Sequence, residues 1–288
     1  MLWRRAPAKL NLTLRVIGRR LDGYHEIESL VAFAGLCDWL AFETGPDLAL
    51  DVIGPRAVEA GPVGGNLVLR AAHALFAHIP TLKLGRFRLI KRLPASAGLG
   101  GGSADAAAAL RALAEANGLS IADERVQTAA RETGADVPVC LCPRARIMAG
   151  IGDQIGPSMS LPRIFAVLAN PRVAAPTPQV FAALGLAPGS IFDPPARSPF
   201  VPASREPFSL DSLRAGRNDL EAAALKVAPV IAAVLESLSC LPGAKLARMT
   251  GSGATCFALF DDRHAAAAAR RIVAAEQPGW WVEATCLR

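Results

Sequence analysis

Residues 93–105, LPASAGLGGGSAD, constrain the fold of this chain more than any other segment. Four glycines stand at positions 98, 100, 101 and 102, and Ser103 and an alanine-rich helical pattern follow them. Glycine tolerates positive φ and lets a ligand approach the backbone closely. The first turn of a helix adds unpaired N–H groups and the positive end of the helix dipole. The segment therefore predicts a loop that binds a nucleotide phosphate, with a plain strand-to-helix connection as the alternative.

Two well-known nucleotide-binding motifs do not fit this segment. The Walker A motif requires a lysine directly before its serine or threonine, and no lysine precedes Ser103. The dinucleotide-binding fingerprint starts at Gly98 and Gly100, but Ser103 occupies the position of its third glycine. Asp123, about 20 residues further on, lies in a polar helical pattern and not at the end of a strand. The sequence thus excludes a P-loop NTPase and disfavours a Rossmann domain.

Length and composition indicate a globular protein with a substantial core. The chain has 288 residues, of which 52% are hydrophobic and 19% charged, enough for one large or two medium domains. The N-terminus lacks the apolar run of a signal peptide, and the longest uncharged stretch, residues 173–192, is interrupted by prolines and glycines. We therefore expect a soluble, cytoplasmic protein.

Charge and cysteine content disfavour two other classes of function. The formal net charge is +6, but the basic residues are dispersed and form no patch interleaved with aromatic residues. Anionic small molecules are therefore better candidate ligands than nucleic acid. The six cysteines include one close pair, Cys140 and Cys142, without the spacing of a zinc site, so we expect reduced thiols.

Hydrophobic periodicity predicts a β-rich beginning followed by helices and strands in alternation. Residues 8–16 alternate between apolar and polar side chains, which predicts a half-buried strand with Lys9 and Asn11 on its polar face. The other predicted strands are 24–33, two short segments within 38–53, 87–91, 146–148, 164–168, 256–260 and 281–287. The predicted helices are 66–78, a run from the glycine segment to 117–118, 121–132, a short helix opening at 176–178, 219–239 and 264–275, with a turn at 22–23 and a proline-rich surface loop at 188–207. This order favours an α+β fold over a doubly wound sheet.

Three segments, read together, resemble the three motifs of the GHMP kinase superfamily in the same order. They are PAKLNL at 7–12, LPASAGLGGGS at 93–103 and TGSGA at 250–254. Three further segments are similar to those of the branch that phosphorylates a cytidine-diphosphate-linked methylerythritol, namely DGYH at 22–25, GADVP at 134–138 and PTPQVF at 176–181. The resemblance covers essentially the whole chain, and six motifs in register are far more specific than any one of them.

The resemblance implies an α+β, two-domain GHMP-kinase fold. Its parts are a β-rich N-terminal nucleotide-binding domain, residues 1–153, and a C-terminal ferredoxin-like α/β-plait domain, residues 154–288, with the active site between them. The implied reaction transfers the γ-phosphate of ATP, with Mg²⁺ as cofactor, to the 2-hydroxyl of the cytidyl substrate in non-mevalonate isoprenoid biosynthesis. No nucleic acid, membrane or obligate protein partner is implied. The alternatives are a GHMP kinase for another alcohol, such as homoserine or mevalonate, and a binding module that keeps the fold without catalysis.

Matching the motifs residue by residue makes Asp136 the catalytic base and Lys9 its partner. A carboxylate can accept the proton of a hydroxyl group, and a nearby ammonium keeps that carboxylate ionised. In isolation, a lysine on the polar face of a strand is usually solvated, and an aspartate before Val137 and Pro138 is usually a turn or capping residue. Their joint place in the motif set is what favours catalysis.

The resemblance assigns ligand binding to the glycine segment and to residues far from it in sequence. The ATP-binding residues are Pro94, Ala95, Ser96, Ala97, Gly98, Leu99, Gly100, Gly101, Gly102, Ser103 and Ala104, of which Ser103 is also a candidate ligand of phosphate or metal. The substrate-binding residues are Tyr24 and Phe181, stacked on the cytosine, His25, hydrogen-bonded to it, Asn11, at the diol, and Thr177 and Lys91. Many relatives carry more glycine at 95–97 and a serine at position 104, which puts the adenine-side packing and one hydroxyl ligand in doubt.

Overall fold

The computed structural model describes residues 1–193 and 210–288, and these form two compact units that alternate along the chain. Unit 1 consists of Met1–Lys9, Leu36–Ala95 and Gly100–Pro143. Unit 2 consists of Leu10–Gly35, Ser96–Leu99 and Arg144–Arg288. Most of the predicted proline-rich loop, residues 194–207, lies outside the described residues. The domain boundary between residues 153 and 154 stays a prediction.

The β-layer of unit 1 centres on two antiparallel strands. The strands that contribute to this unit are β1 (Leu2–Asn11), β3 (His25–Thr44), β4 (Ala49–Ile53) and β5 (Gly85–Ile90). Strand β5 runs antiparallel to the second half of β3, with Trp39 opposite Ile90, and parallel to β4. The buried rings of Phe42 and Phe87 lie opposite each other on β3 and β5, with their centroids 4.7 Å apart. Aromatic contact thus reinforces the strand pairing.

Four helices pack together in unit 1. They are α1 (Leu67–His78), α2 (Gly101–Ala116), α3 (Glu124–Thr133) and α4 (Val137–Leu141), and two short 3₁₀ helices, Ala57–Ala60 and Val63–Gly65, precede them. The side chain of Asn66 accepts a hydrogen bond of 3.0 Å from the N–H of Val68, which confirms the predicted start of α1. Helix α3 begins later than predicted, because Asp123 caps it through the N–H of Arg125. The alanines of α2 are buried against α1 and α4, since small side chains permit close packing.

The first sheet of unit 2 begins with the predicted turn at Asp22 and Gly23. Strand β2 (Arg15–Arg19) leads into this turn and pairs antiparallel with the first half of β3, with Arg19 opposite His25. Strand β6 (Arg146–Gly150) pairs with the same part of β3, and β7 (Gln154–Ile155) pairs with β6. The hairpin signal in the sequence therefore correctly predicted the local fold.

The second sheet of unit 2 is the predicted α/β plait. Its strands β8 (Ile164–Asn170), β9 (Leu246–Met249), β10 (Cys256–Phe260) and β11 (Trp281–Leu287) are antiparallel and lie in the order β11, β8, β10, β9. The helices of this unit are α5 (Thr177–Ala182), α6 (Leu210–Ala215), α7 (Glu221–Val227), α8 (Val230–Ser239) and α9 (Arg263–Glu276). Helix α8 packs on β9 and β10, and α9 packs on β8 and β11. This β-α-β-β-α-β arrangement is ferredoxin-like, as the resemblance implied.

Two predicted elements differ from the structure. The strand predicted at residues 8–16 ends at Asn11, and a separate strand, β2, begins at Arg15. Lys9 and Asn11 are only 3% and 2% exposed, so the polar face of the predicted half-buried strand is itself buried at these two residues. The helix predicted at residues 219–239 is broken into α7 and α8 at Pro229, which lacks the N–H that a continuous helix needs there. Among the described helices, none combines the length and the apolar character needed to cross a membrane.

Candidate active site

A buried lysine and a partly exposed aspartate form an ion pair in unit 1. Lys9 lies near the end of β1, and its Nζ is 2.9 Å from Oδ2 of Asp136, which stands directly before α4. The side chain of Lys9 is 4% exposed and that of Asp136 is 36% exposed. Asp136 makes no side-chain capping bond to α4. Lys9 is therefore not solvated, and Asp136, a turn residue directly before α4, does not cap that helix through its side chain.

The glycine segment reaches this ion pair at Gly100. Gly100 has a φ of +60°, and a Cβ at this position would lie 3.3 Å from Cε of Lys9 and 3.9 Å from Oδ2 of Asp136. It directly precedes α2, and no side chain of the described residues caps that helix. As in any helix, the first N–H groups of α2 have no intrahelical acceptor, and no capping side chain in the described part of the chain replaces it. Unit 1 thus brings together a carboxylate, an ammonium and a helix N-terminus that suits an anion.

In unit 2 the first half of the glycine segment contacts the second glycine turn of the sequence. Gly98 has a φ of +74°, and a Cβ there would lie 2.6 Å from the carbonyl oxygen of Thr250 and 2.8 Å from that of Gly253. The hydroxyl of Thr255 donates to the carbonyl of Ala97 at 2.5 Å. These contacts leave no room for a side chain at position 98. The motifs at 93–103 and 250–254 therefore meet directly.

Several residues of the glycine segment can offer a nucleotide only their backbone. Pro94, Ala97, Leu99 and Ala104 are buried, whereas Ser96 is exposed and Ser103 is half-buried in the first turn of α2. The N–H of Ala95 already donates to Oε2 of Glu59 at 3.1 Å.

Four of the predicted substrate-binding residues line one cavity of unit 2. The cavity has a volume of about 690 Å³, and its walls include Tyr24, His25, Thr177 and Phe181. The rings of His25 and Phe181 are tilted by 32° with centroids 4.7 Å apart, and Tyr24 is 59% exposed. Cavities of roughly 300–1,000 Å³ with aromatic walls are typical of small-molecule sites. The structure thus groups residues that are far apart in sequence.

The environment of His25 favours its neutral form. Burial lowers the pKa of His25, and the positive charge of Arg19, its cross-strand neighbour, lowers it further. Nε2 of His25 is buried and finds no hydrogen-bond partner among the described residues. A neutral imidazole offers one donor and one acceptor, so this ring can pair with the polar edge of a ligand.

Asn11 and Thr177 are both tied to the second glycine turn. The N–H of Asn11 donates to the hydroxyl of Thr250 at 2.8 Å, and its Nδ2 donates to Oγ of Ser29 at 2.7 Å. The hydroxyls of Thr177 and Ser252 are hydrogen-bonded at 2.8 Å. Both side chains are therefore held in place before any ligand binds.

Comparison with known proteins identifies the family. The family model described as GHMP kinases N terminal domain matches residues 66–144, and the model described as GHMP kinases C terminal matches residues 205–278. A 4-diphosphocytidyl-2-C-methyl-D-erythritol kinase of Methylorubrum extorquens (strain PA1) is 56% identical over 289 residues, which cover 100% of this chain and 99% of the relative. The chain belongs to the GHMP kinase family.

Solved structures share the fold of this GHMP kinase over nearly its full length. A crystal structure of a 4-(cytidine 5'-diphospho)-2C-methyl-D-erythritol kinase is 32% identical, with a TM-score of 0.75 and 99% of both chains covered. A homoserine kinase from Cytophaga hutchinsonii is 16% identical, with a TM-score of 0.64, and covers 99% of this chain and 94% of its own. The latter likeness shows the fold alone.

Lys91 of this GHMP kinase lies in an environment that the sequence did not predict. Its side chain is 4% exposed, and its Nζ is 2.6 Å from Oδ2 of Asp38 and 2.6 Å from Oδ2 of Asp105. Burial raises the pKa of Asp105 to about 8; the ammonium of Lys91 opposes this shift and the charge of Asp38 adds to it. Binding of substrate by Lys91 stays a prediction, and the two ion pairs argue against it.

Sequence reasoning missed several residues that support the GHMP motifs. Asn218 donates from Nδ2 to the carbonyls of Met249 and Gly251, and so holds the second glycine turn. No pattern in the sequence pointed to Asn218. Thr250 and Ser252 belong to the recognised TGSGA motif, but its likeness gave them no individual role.

Proposed function

We propose that this GHMP kinase transfers the γ-phosphate of ATP to the 2-hydroxyl of 4-diphosphocytidyl-2-C-methyl-D-erythritol, giving the 2-phosphate and ADP in non-mevalonate isoprenoid biosynthesis. The observation that carries the proposal is the 56% identity, over the whole chain, to a kinase named for that substrate. The ion pair of Lys9 and Asp136 and the cavity lined by Tyr24 and Phe181 support it. We expect the reaction to take place in the cytoplasm, where the thiols stay reduced.

In this proposal Asp136 accepts the proton of the substrate hydroxyl as the oxygen attacks the γ-phosphate. Its carboxylate is partly exposed and makes no capping hydrogen bond to α4, so a substrate hydroxyl can reach it. The ammonium of Lys9, 2.9 Å away, favours the ionised carboxylate and stabilises negative charge that develops beside it. Phosphoryl transfer otherwise depends on positioning and charge neutralisation.

The phosphates of ATP are proposed to bind at the glycine segment. The N-terminus of α2 offers free N–H groups and the positive end of the helix dipole, and Gly100 places both beside the Lys9–Asp136 pair. Backbone groups of residues 94–104 would supply most of the contacts, because many of their side chains are small or buried. The departures at 95–97 and at Ala104 therefore leave this backbone cradle intact.

Mg²⁺ is the proposed cofactor, and the available ligands fit an ion carried by the nucleotide. Mg²⁺ usually binds through one or two protein ligands together with substrate phosphates and waters. The described residues contain no group of three or more histidine, cysteine, aspartate or glutamate side chains that could hold a metal. The hydroxyl of Ser103, in the first turn of α2, is the candidate protein ligand. The ion would neutralise charge on the transferred phosphate.

The cytosine is proposed to bind in the 690 Å³ cavity of unit 2. Tyr24 and Phe181 supply aromatic faces for stacking, and the neutral ring of His25 supplies a hydrogen bond to the base. Thr177 lies on the same wall. Because Nδ2 of Asn11 is bonded to Ser29, contact of Asn11 with the substrate diol would use its Oδ1.

Two alternatives make different use of these residues. Homoserine and mevalonate contain no nucleobase, so neither alcohol would stack on the aromatic side chains of the cavity. A binding module without catalysis would not need the buried Lys9 and its ion pair, since burial of an ammonium is costly.

The test is a coupled ADP-release assay with three acceptors at equal concentration: the cytidyl substrate, homoserine and mevalonate. We expect ADP release with the cytidyl substrate alone. The Asp136→Asn variant serves as the matched control, because its ADP release should fall about 10²–10⁴-fold if the wild-type signal comes from the proposed active site. Release with homoserine or mevalonate, and none with the cytidyl substrate, would refute the proposed substrate.

A further inference from the structure

The strongest unexplained feature of this GHMP kinase is the buried cluster of Asp38, Lys91 and Asp105, which we call the acidic–basic triad. All three side chains are at most 4% exposed, and Lys91 bridges the two carboxylates with two contacts of 2.6 Å. Burying an ammonium between two carboxyl groups is costly, and a hydrophobic cluster of similar size is often as stable or more so. The proposed catalytic step uses none of these groups.

The triad holds the chain where it enters the glycine segment. Oδ1 of Asp38 accepts hydrogen bonds from the N–H of Arg92 and from the N–H of Leu93, the latter at 2.8 Å. The backbone of Lys91 is itself fixed, because its N–H donates to the carbonyl of Ile53 at 2.8 Å and its carbonyl accepts from Arg56. Lys91 is therefore a rigid point at the beginning of the segment.

The triad also holds the chain where it leaves the glycine segment. Asp105 belongs to the first turns of α2, so its bond to Lys91 ties that helix to the end of β5. A Cβ on Gly101 would lie 3.3 Å from Nζ of Lys91 and 3.9 Å from Oδ2 of Asp38. The triad thus lies next to Gly101, the first residue of α2. The N–H groups at this end of α2 are the ones proposed to bind the phosphates.

We propose that the acidic–basic triad positions the glycine segment for ATP, with Lys91 as a positioning residue that links the two ends of the segment. The inference rests on the proposed ATP site and not on the identity of the alcohol substrate. Lys91 acts through the backbone that it holds and does not touch the substrate. A preformed cradle binds more tightly because less ordering is required on binding.

The test compares Lys91→Met with Arg92→Met, which removes the positive charge of the next, exposed side chain. The dissociation constant of ADP is measured by calorimetry, and the KM values of ATP and of the cytidyl substrate by ADP release. We expect Lys91→Met to weaken ADP binding and raise the KM of ATP about tenfold, since a hydrogen bond to a charged group is lost. The KM of the cytidyl substrate should stay within about twofold, and Arg92→Met should resemble the wild type.

A merely structural role predicts a different result. Lys91→Met would then lower Tm and reduce the fraction of folded, active enzyme, and the apparent kcat would fall with it. The folded enzyme would keep its ADP affinity and its KM for ATP. That outcome overturns the proposal. If Lys91→Met does not fold, the isosteric Asp38→Asn decides, because it removes the charged partner that lies 2.6 Å from Nζ of Lys91. Unchanged ADP affinity then overturns the proposal, and a loss of about threefold or more supports it. Binding of ADP requires no acceptor, so this readout stays valid if the proposed substrate is wrong.

Discussion

Replacing Gly98 by alanine should disrupt the contact between the two glycine motifs. Alanine at a φ of +74° costs about 1–2 kcal/mol relative to a residue in a favourable conformation. Its Cβ would lie 2.6 Å from the carbonyl oxygen of Thr250, a backbone atom that can only move with its turn. Overpacking of this kind costs about 1–3 kcal/mol, so the total loss is about 2–5 kcal/mol. Scanning calorimetry should show a Tm lower by about 4–20 °C.

Gly118 provides the matched control for this substitution. Its φ is +66°, and a Cβ there would meet nothing within 4 Å. Gly118→Ala therefore carries the conformational cost alone, about 1–2 kcal/mol or about 2–8 °C in Tm. We also expect the KM of ATP to rise in Gly98→Ala and to stay unchanged in Gly118→Ala. Equal losses of Tm and unchanged KM in both variants would refute the close contact between Gly98 and Thr250.

Three further predictions concern the chemistry and the base cavity. Asp136→Asn should lower kcat about 10²–10⁴-fold with nearly normal ADP binding, and near-normal turnover would contradict its role as base. Phe181→Ala should raise the KM of the cytidyl substrate about 5–100-fold through lost stacking and leave the KM of ATP unchanged, whereas equal effects on both would indicate general loosening. Arg19→Gln removes a charge that lowers the pKa of His25, so protonation of His25, measured by NMR, should begin at a higher pH as the solution is acidified. The KM of the cytidyl substrate should rise over the same range, and Arg20→Gln, whose side chain pairs with Asp22, should leave both unchanged.

The parts of the fold that could be predicted from sequence are those that depend on neighbouring residues. Asn66 starts α1 because its own side chain reaches an N–H two residues on, and Asp22 and Gly23 turn the chain within a few residues. The break at Pro229 carried the same kind of local signal, since proline interrupts a helix wherever it stands in the interior. Predicting one helix there gave too much weight to hydrophobic periodicity.

The candidate site was predictable as a set of motifs but not as an arrangement. The resemblance to GHMP kinases selected Lys9, Asp136 and the aromatic residues of the base cavity from their motifs. It also selected Lys91 as a substrate ligand, although Lys91 is buried between Asp38 and Asp105. No local pattern around Lys91 predicts its contact with Asp38, because the two residues are brought together by the pairing of β3 with β5.

The sequence by itself determined that a glycine segment precedes a small-residue helix and that the chain carries the motifs of a kinase family. These properties follow from backbone conformational preference and from residue order, which need no distant partner. Only the tertiary structure decided that Lys9 is buried beside Asp136, that Gly98 lies against Thr250 and that Lys91 is enclosed by two carboxylates. The physical reason is that the state of a charged group depends on its burial and on the charges around it, and packing of remote segments sets both.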